Sequence, residues 1–258
     1  MAALSGAVPV YLPRVLTYHA ISEDRDDPYA VTPSLFERHL DLLSQLNLHG
    51  VSLRDLMEGT FSEDRGRIAL TLDDATGCQF ARAIPALAER GFGATVFVPS
   101  AIVSGASRPV ARSHMCWEQV VELASIPGME IGSHSRTHAS LGGLRPAQAI
   151  HEIATSKEEI ENRIGVAVDS FAYPYGRRTA FNAFTRGAVK EAGYRWACTM
   201  VAGSIRKGCD LLELPRNGVL CVDSPRRLRW KVLGRYDRIQ DFWGKKSERK
   251  DSKFACVE

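Results

Sequence analysis

The chain has 258 residues and a formal net charge of +3, with 45% apolar and 24% charged residues. That composition fits a globular domain and excludes disordered, collagen-like and disulfide-rich classes. The charge is too small to imply a nucleic-acid partner, and no apolar run is long enough to span a bilayer.

The N-terminus is weakly apolar and carries no Lys or Arg before Arg14, so it lacks the basic start of a secretory signal. The expectation is a cytoplasmic protein. Six cysteines (Cys78, Cys116, Cys198, Cys209, Cys221 and Cys256) are scattered without a C-x-x-C pair. They read as free thiols of a reducing compartment rather than disulfides or zinc-finger ligands.

In chain order, residues 14–18 read as a strand and 34–48 as a helix after Pro33. Residues 68–72 form the next strand, 80–90 a helix closed by Gly91, and 94–98 a strand. A helix over 117–124 and a strand over 129–131 follow. Residues 146–163 are a strong amphipathic helix. Short strands are predicted at 170–173, 195–200 and 212–214, with a helix over 180–192. This β-then-α rhythm predicts a parallel sheet with helices outside it, as a barrel or a doubly wound sheet. No linker divides the chain, so the reading is one domain over 10–222 and a tail over 223–258.

Leu70-Thr71-Leu72-Asp73-Asp74 puts two carboxylates at the end of an apolar strand, where α/β enzymes keep reactive groups. Neighbouring side chains on an extended backbone point apart, so one can bind a metal while the other accepts a proton. Alone, the pair also fits a turn or a helix cap. His134-Ser135-Arg136-Thr137-His138 spaces two imidazoles four apart. On a helical turn both share one face and reach a single ion; otherwise they are surface histidines. Phe171-Ala172-Tyr173-Pro174-Tyr175-Gly176 joins a strand to a turn that can aim backbone N–H groups at a ligand.

Together these segments resemble the NodB-homology polysaccharide deacetylases, the family-four carbohydrate esterases. The resemblance runs from about residue 15 to 219. It is supported by Thr17-Tyr18-His19, Ala94-Thr95-Val96-Phe97-Val98, Trp117 and Leu214-Pro215-Arg216. It implies a distorted (β/α)7 barrel that removes acetyl groups from N-acetylated amino sugars. By it, Asp73 matches the base, and Asp74, His134 and His138 match the ligands of a divalent ion. Zn2+ is expected there, with Co2+, Mn2+ or Ni2+ as alternatives. The Tyr175 N–H matches an oxyanion donor, and Tyr173 and Trp117 are candidate substrate contacts.

Three departures from the family pattern stand out. Ala75 follows the aspartates where glycine is usual, and Leu72 replaces a usual phenylalanine. Ala172 stands where many members have an arginine that pairs with the base, and Arg216 is the candidate substitute. No histidine occurs after His151, so the family's late general acid has no counterpart. His19, at the first strand's end, is the candidate donor, with protonated Asp73 as the alternative.

In the tail, Leu228, Val232, Tyr236, Ile239 and Trp243 recur at helical spacing, with Arg227, Lys231, Arg235 and Arg238 on other faces. This reads as a basic amphipathic helix, packed on the barrel or lying on an anionic membrane. The leading expectation is an N-deacetylase acting on an amino sugar of a glycan or glycan precursor in envelope assembly. The alternatives are hydrolysis of another non-peptide C–N bond, such as a formamide, and a metal-free saccharide-binding protein. Oligomeric state is not legible.

Overall fold

A computed structural model describes residues 12–59, 66–106 and 113–235. Ten strands occur in it: β1 (Val15–Tyr18), β2 (Ala20–Ile21), β3 (Ala30–Val31), β4 (His49–Val51), β5 (Arg67–Leu72), β6 (Ala94–Val98), β7 (Met129–Ser133), β8 (Ser170–Ala172), β9 (Trp196–Cys198) and β10 (Asn217–Gly218). Seven follow the order β10-β1-β5-β6-β7-β8-β9, β4 adds to β5, and every pairing is parallel. Leu214 bridges Cys198 beside the last strand, and β10 then pairs with β1. Residues 214–218 thus step from the last strand to the first and curl the sheet into a distorted barrel.

The helices are α1 (Pro33–Gln45), α2 (Leu53–Glu58), α3 (Ile84–Ala88), α4 (Ser100–Val103), α5 (Trp117–Ala124), α6 (Pro146–Ile164), α7 (Ala183–Glu191) and α8 (Pro225–Val232). In α1 the Thr32 hydroxyl accepts from the Leu35 N–H at 3.3 Å, and Pro33 starts the first turn. Its stripe of Leu35, Phe36, His39, Leu40, Leu42 and Leu43 is buried. α6 ends at Gly165, whose φ of 73° suits a residue without a Cβ.

Side-chain alternation sorts the strands into two cores. Val15, Ala69, Phe97, Ala172, Trp196, Cys198 and Leu214 share one buried cluster inside the barrel. Their neighbours Leu16, Tyr18, Leu70, Leu72, Val96, Val98, Phe171, Tyr173 and Ala197 pack outward under the helices. Leu53 and Leu56 of α2 join the inner cluster, so that short helix closes one end of the barrel.

The predicted helix over 80–90 begins instead as a π-helical turn, Gln79–Ala83, before α3. Pro85 has no N–H to continue an α ladder, and the Ile84 N–H reaches back to Gln79 O. The strand predicted over 212–214 is reduced to the single bridge at Leu214, while β2, β3, β4, α2, α4 and β10 were not predicted. Cys78, Cys116, Cys198, Cys209 and Cys221 are free thiols.

In the tail, α8 packs on α1 and buries Leu228 and Val232. The predicted continuation through Tyr236, Arg238, Ile239 and Trp243, and Cys256, fall outside the described residues. Among the described residues no helix is long and apolar enough to cross a membrane.

Candidate active site

β5 carries Asp73 to the barrel mouth on the inward parity of Ala69 and Thr71. Arg216 arrives beside it two residues after inward-facing Leu214. Both are fully buried, and the guanidinium grips the carboxylate at both ends: Nη1 donates to Oδ1 at 2.6 Å and Nη2 to Oδ2 at 2.8 Å. Arg216 Nε donates to Thr199 O at 2.9 Å, and its guanidinium lies 5.4 Å from the Phe97 ring centre. Burial alone would raise the Asp73 pKa, but the Arg216 charge and hydrogen bonds, together with the His134 and His19 rings, outweigh it and hold the group below the usual carboxylate range. Ala172 and Phe97 share the inner cluster, and the guanidinium reaches the base from Arg216 instead of from residue 172.

Asp74 sits one residue further, with φ at 78°, and leaves the strand. His134 Nε2 is 3.6 Å and His138 Nε2 3.3 Å from Asp74 Oδ1, and one ligand atom from each of the three lies within 4.8 Å of the others. The two histidines do not share a helical turn, which corrects the geometry expected from their spacing. Residues 134–138 form a loop after β7, with Ser135 and His138 at φ of 59° and 60°. His134 lies on the inward parity of Glu130 and Gly132. Added to Gly132, a Cβ would lie 2.5 Å from the Phe97 ring, so the strand must be bare there.

His134 Nδ1 is 2.7 Å from Ala172 O. The carbonyl can only accept, so Nδ1 carries the proton and Nε2 turns its lone pair to the cluster. Burial pushes the His134 pKa down to about 4, which keeps the ring neutral at neutral pH. For Asp74, burial raises the pKa, but the His138 hydrogen bond and the surrounding imidazoles outweigh it and keep the group ionised. Two imidazoles and one carboxylate in reach of a common point are a donor set that fits a divalent transition ion.

These groups open on a cavity of 440 Å³, also lined by His19, Tyr29, Tyr175 and Arg177. His19 Nε2 is 3.9 Å from Asp73 Oδ2, and its ring centre lies 4.9 Å from that of Tyr29. Tyr175 is exposed at the rim, with φ at 62° and its ring 4.9 Å from His138.

Two expected contacts are not brought to the cavity. Tyr173 has the parity opposite to Ala172, so it faces outward and stacks on Phe181 at 4.6 Å. Trp117 opens α5 and is buried in the outer core, with Arg163 over its ring. Two site-supporting residues escaped the sequence reading. Tyr29 had no motif to flag it. Gln79 Nε2 donates to Asp73 O at 2.6 Å and to His19 O, and Oε1 accepts from the Thr76 N–H. The Thr76-x-x-Gln79 spacing, a capping-box pattern, was the available signal.

A curled parallel barrel that gathers a carboxylate–guanidinium pair and an Asp–His–His cluster at its strand ends defines a class, the α/β-barrel hydrolases. The polysaccharide deacetylase family model matches residues 62–197, and the chain belongs to that family, whose chemistry is carbohydrate deacetylation. Bacillus subtilis (strain 168) YxkH, named for the same family, is 26% identical over 211 residues, covering 81% of this chain and 71% of that protein. The Streptococcus pyogenes deacetylase PplD, solved with acetate, superposes with a TM-score of 0.76 at 22% identity, covering 86% of this chain and 98% of that one. IcaB from Ammonifex degensii gives 0.73 at 22% identity, covering 86% and 97%. These neighbours share the barrel fold.

Proposed function

We propose that this chain removes the N-acetyl group from an amino sugar in a glycan or glycan precursor. The observation that carries the reading is one cavity holding two carboxylates with separate surroundings. Asp73 is locked to Arg216, while Asp74 stands with His134 and His138.

Asp74, His134 and His138 would hold a divalent ion, with Zn2+ the leading candidate. When bound, such an ion polarises the amide carbonyl and makes a water more acidic. Arg216 keeps Asp73 ionised and aimed. Each carboxylate oxygen retains a lone pair beyond its Arg216 bond, so Asp73 can accept the proton of the attacking water. The Tyr175 N–H, on a turn held in the left-handed region, would donate to the oxyanion. His19, beside Asp73, would give its proton to the leaving nitrogen as the C–N bond breaks. The products are acetate and the free amine. This places Arg216 as a positioning residue for the base.

Acetate release from a panel of N-acetylated saccharides, before and after chelation, tests the reading. Asp73→Asn should lower turnover by about a hundred- to ten-thousandfold. His19→Ala should lose the basic limb of the pH–rate profile. A full basic limb in His19→Ala would return the donor role to protonated Asp73. Release of formate instead of acetate would transfer the site to another acyl group. Turnover unaffected by both chelation and Asp73→Asn would end the proposal.

A further inference from the structure

We infer that Glu152, 14 residues beyond the cluster in sequence, is the positioning residue that gives the His134–His138 loop its ion-binding shape. The inference rests on the metal reading above. α6 presents Glu152, Ser156 and Glu159 along one face, at i, i+4 and i+7. All three close on the loop that carries the histidines.

Glu152 makes the densest set of contacts. Its Oε2 accepts the N–H of Arg136 at 3.0 Å and of Thr137 at 2.8 Å, and Oε1 accepts the Thr137 hydroxyl at 2.7 Å. Ser156 Oγ donates to Ser135 O at 2.9 Å. Glu159 Oε1 accepts from Arg136 Nε at 3.0 Å. The Arg136 charge is thereby taken by Glu159, and Glu152 is left to the two backbone N–H groups and the Thr137 hydroxyl.

A loop with Ser135 and His138 both in the left-handed region has no ladder to hold it. Its N–H groups at Arg136 and Thr137 would otherwise need water, and Glu152 supplies a buried acceptor instead. His134 is also fixed by Ala172 O. His138 follows the loop, because its N–H is held by Ser135 Oγ at 3.1 Å within that same loop. Losing the Glu152 carboxylate should therefore free His138 more than His134 and loosen the three-ligand geometry.

The test is titration of the chelated protein with Co2+ alone, read by calorimetry and by visible absorption of the bound ion. Far-UV circular dichroism checks the fold. Glu152→Ala should weaken Co2+ binding about 10- to 100-fold, the usual effect of removing a partner that orients a ligand, and should alter the absorption band. Glu152→Gln keeps one acceptor oxygen and should fall between. Co2+ binding by folded Glu152→Ala with the parent's affinity and band would overturn the inference. Should Glu152→Ala not fold, Thr137→Val decides: it removes the Oε1 contact alone, and an unchanged affinity and band would equally overturn it. A parent protein that binds no Co2+ would instead remove the metal reading, and this inference with it.

Discussion

The barrel buries two carboxylates on its inward face and treats them in opposite ways. At the mouth, Asp73 meets a guanidinium in a two-pronged pair. Toward the start of β7, Glu130 is satisfied by neutral donors: Ser170 Oγ at 2.6 Å, Thr95 Oγ at 2.6 Å and the Arg54 N–H at 3.0 Å. The nearest cation, Arg54 Nε, is 3.9 Å away, and the same guanidinium also serves Asp169. Asp73 is consequently held below its usual range, and burial pushes Glu130 above its own. The fold is common to both, and the partner decides whether a buried carboxylate is held below or pushed above its usual range. Glu130 and Thr95 close the barrel over α2, since Thr95 Oγ also accepts the Leu53 N–H at 2.7 Å.

Removing the partner at each end should sharpen that contrast. Arg216→Ala strands a buried charge and should cost about 3–5 kcal/mol of stability, with turnover reduced at least a hundredfold. Denaturant unfolding and acetate release measure both. Glu130→Gln keeps the shape but spoils one acceptor, and should cost about 1–3 kcal/mol with turnover unchanged. Equal losses of turnover in the two variants would erase the distinction between base and strut.

The pH dependence should run in opposite directions. Glu130 has a raised folded pKa, so it binds more protons folded than unfolded just above pH 4.5. Its stabilisation is full below that pH and fades as pH rises through the folded pKa. The cost of Glu130→Gln should therefore be largest near pH 4 and shrink toward neutrality. Asp73 has a lowered folded pKa, so its pairing stabilises above about pH 3.8 and is lost as pH falls through the folded pKa. The cost of Arg216→Ala should be large at pH 7 and smaller in acid. Unfolding curves of the chelated proteins from about pH 2 to 8 would reveal parallel trends if the comparison is wrong.

The same contrast explains what was legible in the sequence. The Asp73–Asp74 and His134–His138 pairs stood out by strand ends and spacing, and Arg216 through the family resemblance, as the substitute for an arginine missing at Ala172. The β-then-α rhythm left a barrel and a doubly wound sheet both open, and the family resemblance chose the barrel. Tyr173 was misplaced although parity spoke against it: an inward Ala172 puts its neighbour outside. The histidine loop was read as a helical turn because the i, i+4 spacing is identical. What separates the two is the pair of left-handed residues and the support from α6, which local pattern does not encode. Glu130, Gln79 and Glu152 are ordinary residues in sequence, and their roles come from partners 3 to 76 positions away. Five of the six non-glycine residues with positive φ, among the described residues, belong to the site segments: Asp74, Ala75, Ser135, His138 and Tyr175. Asn47, after α1, is the sixth, and Glu130 and its partners contribute none, so of the two buried carboxylates only the one at the mouth sits among strained backbone.

Ala75 offers the smallest and most discriminating test of that strain. Its φ of 48° lies where a Cβ costs about 1–2 kcal/mol, and the family glycine would avoid this. Yet Ala75 is fully buried in the outer core with Met115, whose N–H bonds Ala75 O at 2.8 Å. Burying that methyl returns about 0.8 kcal/mol, and glycine would add roughly 0.5–1 kcal/mol of unfolded-chain entropy. The opposing effects nearly cancel, so Ala75→Gly should change stability by less than about 1 kcal/mol and turnover by less than about threefold. A gain well above that range would mean the methyl packs poorly and the strain is uncompensated. A loss of the same size would mean the methyl, not the backbone, holds Asp74 in place. Only the near-zero result fits a mouth whose strain is offset locally by the packing beneath it.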